Sequence, residues 1–145
     1  MKKNDQAVAL VTGASSGIGE ATALRLAKAG YKVFGTSRRG ASASRGSFEM
    51  LPLDVTSDAS VNAVVAEVIR REGRLDLLVN NAGFNVAAGG AEESSIQQAQ
   101  DIFDTNFFGM VRMTLAVVPH MRRQGSGRII NIGSVLGFLP MPYWA

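Results

Sequence analysis

Cysteine is absent from the 145 residues, so neither a disulfide nor thiolate chemistry is available, which suits a cytoplasmic protein. Histidine occurs once, at His120 beside Pro119 near the end of a helical pattern, and reads as a structural or exposed residue. No metal site is expected from so few soft or imidazole ligands. Long apolar runs are lacking as well: the longest, Met110 to Met121, is interrupted by Arg112 and His120, so no membrane span is expected. The opening Met1 to Asp5 has two lysines but no apolar core of a signal peptide, so nothing there directs export. Nor does charge of one sign dominate, since 15 basic against 12 acidic residues leave +3. The arginine pairs at 38–39, 70–71 and 122–123 lie in separate segments without interleaved aromatics, which argues against a nucleic-acid partner. The last two pairs read as solvated helix ends.

What is present is ordinary globular material, 46% hydrophobic and 19% charged, and residues 1–145 read as one domain. Ala7 to Val11 is an apolar strand of the kind covered on both faces. A helical segment after Gly19 ends at Gly30, Tyr31 to Ser37 forms a second strand, and Arg38 to Ser47 a polar loop. Phe48 to Val55 is a third strand, in which Pro52 argues for an edge position or an irregular end. Val61, Val64, Val65, Val68 and Ile69 mark a helix capped by Ser57 or Asp58 and ended by Gly73. Leu75 to Val79 is a fourth strand, and Phe84 to Ser95 a surface loop. A long helix follows, with Ala99, Ile102, Asn106, Met110, Met113, Val117 and Met121 on one stripe, broken at Gly125-Ser126-Gly127. Arg128 to Ile132 is a fifth strand, and Val135 to Ala145 an apolar loop. Strands alternating with helices predict an α/β fold, a Rossmann-like, doubly wound parallel sheet of about five strands with helices on both faces.

The polar and glycine-bearing positions fall at the carboxyl ends of those strands, where such sheets bind ligands. Thr12-Gly13-Ala14-Ser15-Ser16-Gly17-Ile18-Gly19 lies where a strand turns into a helix. Glycines there let a phosphate approach the backbone, and the helix N-terminus favours an anion. The hydroxyls of Thr12, Ser15 and Ser16 either brace the loop, meet the ligand or cap the helix. Asp54 ends a strand and either accepts from an adenine amino group or orders the turn before Thr56. The pair Asn80-Asn81 before Ala82-Gly83 suits a clamp at a strand end. Asn106, within an apolar stripe, needs hydrogen-bond partners if buried.

Together these motifs resemble the short-chain dehydrogenase/reductase family. Thr12-Gly13-x-x-x-Gly17-x-Gly19 resembles its phosphate loop, Asp54-Val55 its adenine-contacting pair, and Asn80-Asn81-Ala82-Gly83 its NNAG element. Ser134, after Ile132-Gly133, resembles the catalytic serine, and Asn106 the asparagine of the catalytic tetrad. The resemblance implies a carbonyl or secondary-alcohol substrate whose oxygen Ser134 polarises, a structural and water-holding role for Asn106, and an oligomeric whole protein. For the cofactor, the place about twenty residues past the glycines, where an NAD site carries a carboxylate, holds Ser37 followed by Arg38 and Arg39. Arginine suits a 2′-phosphate, so NADP is expected with Arg38 as the main contact.

The family's tyrosine and the lysine four residues beyond it have no match here, since Tyr143 is the one tyrosine after Ser134 and is not followed by such a lysine. The sequence is therefore expected to be the cofactor-binding part of such an enzyme, without the last strands and inactive alone. An exposed fifth-strand edge prone to self-association is expected with it. A non-catalytic dinucleotide-binding module completed by a partner is the alternative. A P-loop phosphotransferase is disfavoured by the lack of Gly-Lys-Ser/Thr in the loop.

Overall fold

The computed structural model describes residues 6–39, 46–86 and 91–139. Five strands, β1 (Val8–Val11), β2 (Lys32–Ser37), β3 (Glu49–Pro52), β4 (Leu77–Asn80) and β5 (Arg128–Asn131), form one sheet in the order β3-β2-β1-β4-β5. Every pairing is parallel, as in Leu10 beside Phe34 and Val79 beside Ile130. The chain thus starts in the middle, winds outward to β3, and crosses back to β4, so the order reverses between β1 and β4. Pro52 is the last residue of β3, and β3 is an edge strand, where a missing N–H is tolerated.

Helix α1 (Gly17–Lys28) covers one face, packing Ala23 against Ala9, Val11, Val33 and Val79. The opposite face is covered by α2 (Asp58–Glu72) and α4 (Gly109–Gln124), which bring Val61, Val64, Val65, Val68, Met113, Val117 and Met121 onto Val8, Leu10, Phe34 and Leu78. Helix α2 starts where Ser57 accepts from Ser60 N and stops at Gly73, in the left-handed conformation that favours glycine. At the end of α2, Arg70 pairs within the helix with Glu67 as expected of a solvated end, whereas Arg71 reaches across to Glu49 of β3. Strand β5 has no strand outside it among the described residues, and Ile130 and Ile132 stand 40% and 42% exposed.

Three expectations change. Helix α1 begins at Gly17, two residues before Gly19, so the last two loop glycines belong to its first turn. Strand β3 ends at Pro52, so Asp54 and Val55 lie on the connection beyond it. The long helix is interrupted: α3 (Ile96–Phe103) is followed by a π turn over Asp104–Phe108 before α4. The extra residue, closed by Gly109 N donating to Asp104 O, shifts the phase of the stripe. Gly109, Met113, Val117 and Met121 are buried, while Asn106 is exposed rather than part of the buried face. The loop read from Phe84 to Ser95 contains a single helical turn at Ala91–Glu93, and the segment after Ser134 one at Val135–Gly137. Tyr143 lies outside the described residues.

Candidate active site

The site is built on a hydrogen-bonded floor joining β1 to β4. Thr12, 1% exposed, turns its hydroxyl inward, where Oγ1 accepts from Asn81 N and Ala82 N, each at 2.9 Å. Asn81 returns the contact, its Nδ2 donating to Thr12 O at 2.9 Å and Gly13 O at 3.1 Å. Of the roles open to Thr12, bracing the loop is the one realised. The glycines are required here by contact. A Cβ on Gly19 would collide with Gly13 O and Asn81 Nδ2, and one on Gly13 would sit 2.9 Å from Ala82 Cα besides straining a φ of +65°. Asn80, mostly buried, donates from Nδ2 to Asn131 Oδ1 at 2.9 Å and so ties the ends of β4 and β5.

Above this floor, at the carboxyl ends of the strands, lies an open cleft of about 770 Å³. Gly13, Ser15, Ser16, Ile18, Ser37, Arg38, Asp54, Val55, Asn81, Ala82, Gly83, Asn106 and Ser134 all line it. Residues from five connections are therefore brought to one surface, at the point where strand order reverses. Thr12, Gly17 and Gly19 do not line the cleft; Thr12 and Gly19 are buried beneath it. Leu53, Thr56, Phe84, Thr105, Ile132 and Gly133 complete the lining.

The end of the cleft at the glycine loop can receive an anion. Ser16 stands at the N-cap of α1 yet its side chain makes no capping bond, so helix capping is not its role and the first-turn N–H groups stay available to an anion. At the end of β2, Ser37 and the exposed Arg38 line the cleft rim, with the Asp54 carboxyl near enough to feel the Arg38 charge. Asp54 performs the turn role foreseen for it: Oδ1 accepts from Thr56 N at 3.0 Å and Thr56 Oγ1 at 2.8 Å. Those two bonds, aided by the charges of Arg38 and Arg112, hold its carboxyl below the ordinary value. The carboxylate is thus ionised and oriented while still lining the cleft.

At the other end Asn106 clamps the loop after β4. Its Oδ1 accepts from Phe84 N at 3.0 Å and its Nδ2 donates to Phe84 O at 2.8 Å, a two-point hold on one residue's backbone. Gly83 admits this clamp, since a Cβ there would stand 3.0 Å from Asn106 Oδ1. Ser134 Oγ accepts from Leu136 N at 3.1 Å, opening the turn at Val135–Gly137. A hydroxyl that accepts one bond keeps its own hydrogen to donate, so Ser134 can serve both the turn and a ligand oxygen. Arg112, which binds Val55 O, is the residue the sequence reading passed over. Its signal was a lone charge inside an apolar helical run.

Comparison with known proteins agrees with this geometry. The family model described as short chain dehydrogenase matches residues 7–145. A 3-ketodihydrosphingosine reductase of Bacteroides thetaiotaomicron is 44% identical over 137 residues, covering 94% of this chain and 50% of that protein. A short-chain dehydrogenase from Streptomyces avermitilis superposes with a TM-score of 0.87 at 41% identity, over 96% of this chain and 53% of that one. ElxO with NADP bound superposes with a TM-score of 0.86 at 31% identity, over 96% and 60% respectively. The chain therefore spans about half the length of the curated relative it matches at 44% identity.

Proposed function

The chain belongs to the short chain dehydrogenase family, and from that premise we propose that its cleft binds NADP and serves hydride transfer between nicotinamide and a small-molecule carbonyl or secondary alcohol. The supporting observation is a single cleft holding a glycine loop at a helix N-terminus, an oriented Asp54, the Asn106 clamp and Ser134. The nicotinamide, when bound, supplies or accepts the hydride.

This chain's own residues bind and orient; the proton that the oxygen gains as hydride arrives needs a donor beyond them, since the family's tyrosine and lysine have no match here, and these residues alone are expected to be inactive. Backbone N–H groups of the loop and of the first turn of α1 receive the pyrophosphate. Ser37 and Arg38 receive the 2′-phosphate, the guanidinium as a forked, permanently charged donor. Asp54 and Val55 form the adenine side. Ser134 donates its hydroxyl hydrogen to the substrate oxygen, stabilising the charge that develops there. Asn106 holds the Phe84 backbone and so fixes the wall between cofactor and substrate. The Bacteroides relative's name points to a ketone as the oxidised substrate. Association through the β5 edge, where Ile130 and Ile132 are exposed, belongs to the same proposal; sedimentation as a stable dilute monomer would count against it.

Titration of NADPH and NADH by nicotinamide fluorescence tests the cofactor assignment. The wild type should favour NADPH, and Arg38→Ala should lose roughly ten- to a hundredfold in NADPH affinity, the worth of a charge-assisted bond, with NADH little changed. Equal affinities, or an Arg38→Ala variant that binds NADPH normally, would overturn it.

A further inference from the structure

Arg112 places one planar guanidinium against three elements. Its Nε pairs with Asp58 Oδ1 at 3.0 Å, at the start of α2, and its Nη2 with Asp104 Oδ1 at 2.7 Å, at the start of the π turn. Its Nη1 donates to Val55 O at 3.4 Å and to Asp104 O at 3.3 Å. Asp58 is 82% exposed, so as a stability device this pair would contribute about 1 kcal/mol or less. Its placement carries more information than its strength. Val55 lines the cleft on the side assigned above to adenine, and Asp104 opens the turn that carries Asn106 two residues later.

The same elements meet a second time without charge. Gly109, buried at the first position of α4, lies so close to Val55 that a Cβ would stand 2.7 Å from its Cγ2 and 2.9 Å from its Cβ. Val55, Gly109 and Asn106 also line one small cavity of about 20 Å³ beneath the cleft. The Val55 wall and the Asn106 turn are therefore in contact through packing and tied by a rigid fork.

We propose that Arg112 is a positioning residue, which by bridging the Val55 carbonyl to the Asp104–Phe108 turn couples filling of the adenine side of the cleft to the Asn106–Phe84 clamp. An adenine seated against Asp54 and Val55 restricts the Val55 carbonyl. That carbonyl holds one arm of the guanidinium, and the planar group transmits the restriction to Asp104 through the other. Asn106 then spends less time away from Phe84. The inference rests on the NADP reading above.

Adenosine 2′,5′-bisphosphate, which has the adenine half of NADP and no nicotinamide, is the probe. Hydrogen exchange at Phe84 N, which donates to Asn106 Oδ1, reads the clamp. In the wild type, saturating probe should slow this exchange about fivefold or more, the lower range of ordinary site-to-site coupling. Arg112→Lys keeps the charge but not the fork, and Asp104→Asn keeps the side-chain shape; in either variant the slowing should fall below about twofold while the probe still binds. An Arg112 that only braces the fold would lower the melting temperature and leave the slowing intact, and that result overturns the proposal. So does binding to the wild type without slowing. Failure of the wild type to bind the probe overturns the NADP reading, and this inference with it.

Discussion

Thr12→Val keeps the volume of a buried side chain and deletes one oxygen. That oxygen accepts from Asn81 N and Ala82 N at 2.9 Å each and lies 3.4 Å from Val79 O as a donor. Valine would strand two backbone donors, each costing about 1–3 kcal/mol if fully desolvated. Asn81 and Ala82 are half-buried at the cleft floor, so water relieves part of this and the lower end applies, about 2–3 kcal/mol in all. Thr12→Ser keeps the oxygen and loses one methyl, about 1 kcal/mol. Urea unfolding followed by circular dichroism separates the two: a difference of about 1–2 kcal/mol with an unchanged slope moves the midpoint by roughly 0.5–1 M. Thr12 O and Gly13 O also accept from Asn81, so the valine variant should lose NADPH affinity as the loop loosens. If valine proves no costlier than serine, the Thr12 hydroxyl does not carry the floor of this site and the reasoning fails.

Gly19→Ala should abolish tight NADPH binding and cost about 2–3 kcal/mol of stability, because its methyl would collide with Gly13 O and the Asn81 amide; calorimetric binding and thermal melts report both. Met113→Ala, at a fully buried position against α2 and the sheet, should cost about 2–5 kcal/mol in denaturant unfolding while leaving the cleft lining unchanged. Asp76 contributes to the acid limb of stability, alongside Glu49 and Asp54, whose carboxyls are also held low. Burial pushes its carboxyl up, but donors from Arg74, Val8 N and Gln124 outweigh this and hold it below the ordinary value. A carboxyl lower in the folded than in the unfolded state stabilises fully above the unfolded value near 3.9 and loses that contribution as pH falls through the folded value. Asp76→Asn should therefore flatten the fall in stability below about pH 4, and an unchanged acid limb would contradict it.

Much of this was written locally. Apolar runs bounded by glycine marked each strand, and Ser57 with Gly73 marked both ends of α2. The glycine loop was recognisable from backbone close approach at a strand end, whereas Asn81, Asp54 and Ser134 stood out only through the resemblance of the combined motifs to a family. Asn106 lines the cleft, but the apolar stripe assigned it wrongly in the packing. Its apparent stripe assumed an unbroken period of 3.6, and the π turn over Asp104–Phe108 inserts a residue that no periodicity announces. That turn is held by Arg112, eight residues beyond Asp104, and both Arg112 and Gly109 are in turn held against Val55, more than fifty positions away in the chain.

By itself, then, the sequence determined the alternation of strand and helix, the all-parallel sheet and the set of polar groups at its carboxyl edge, because period, caps and glycine act over a few residues. Only the tertiary structure decided which of those groups line the cleft and which brace the others. Thr12 was turned inward to two amides of the next strand connection, Asp54 was oriented by Thr56, and Asn106 was bound to Phe84. Those choices depend on where another strand end lies, and that distance is fixed by packing rather than by local sequence.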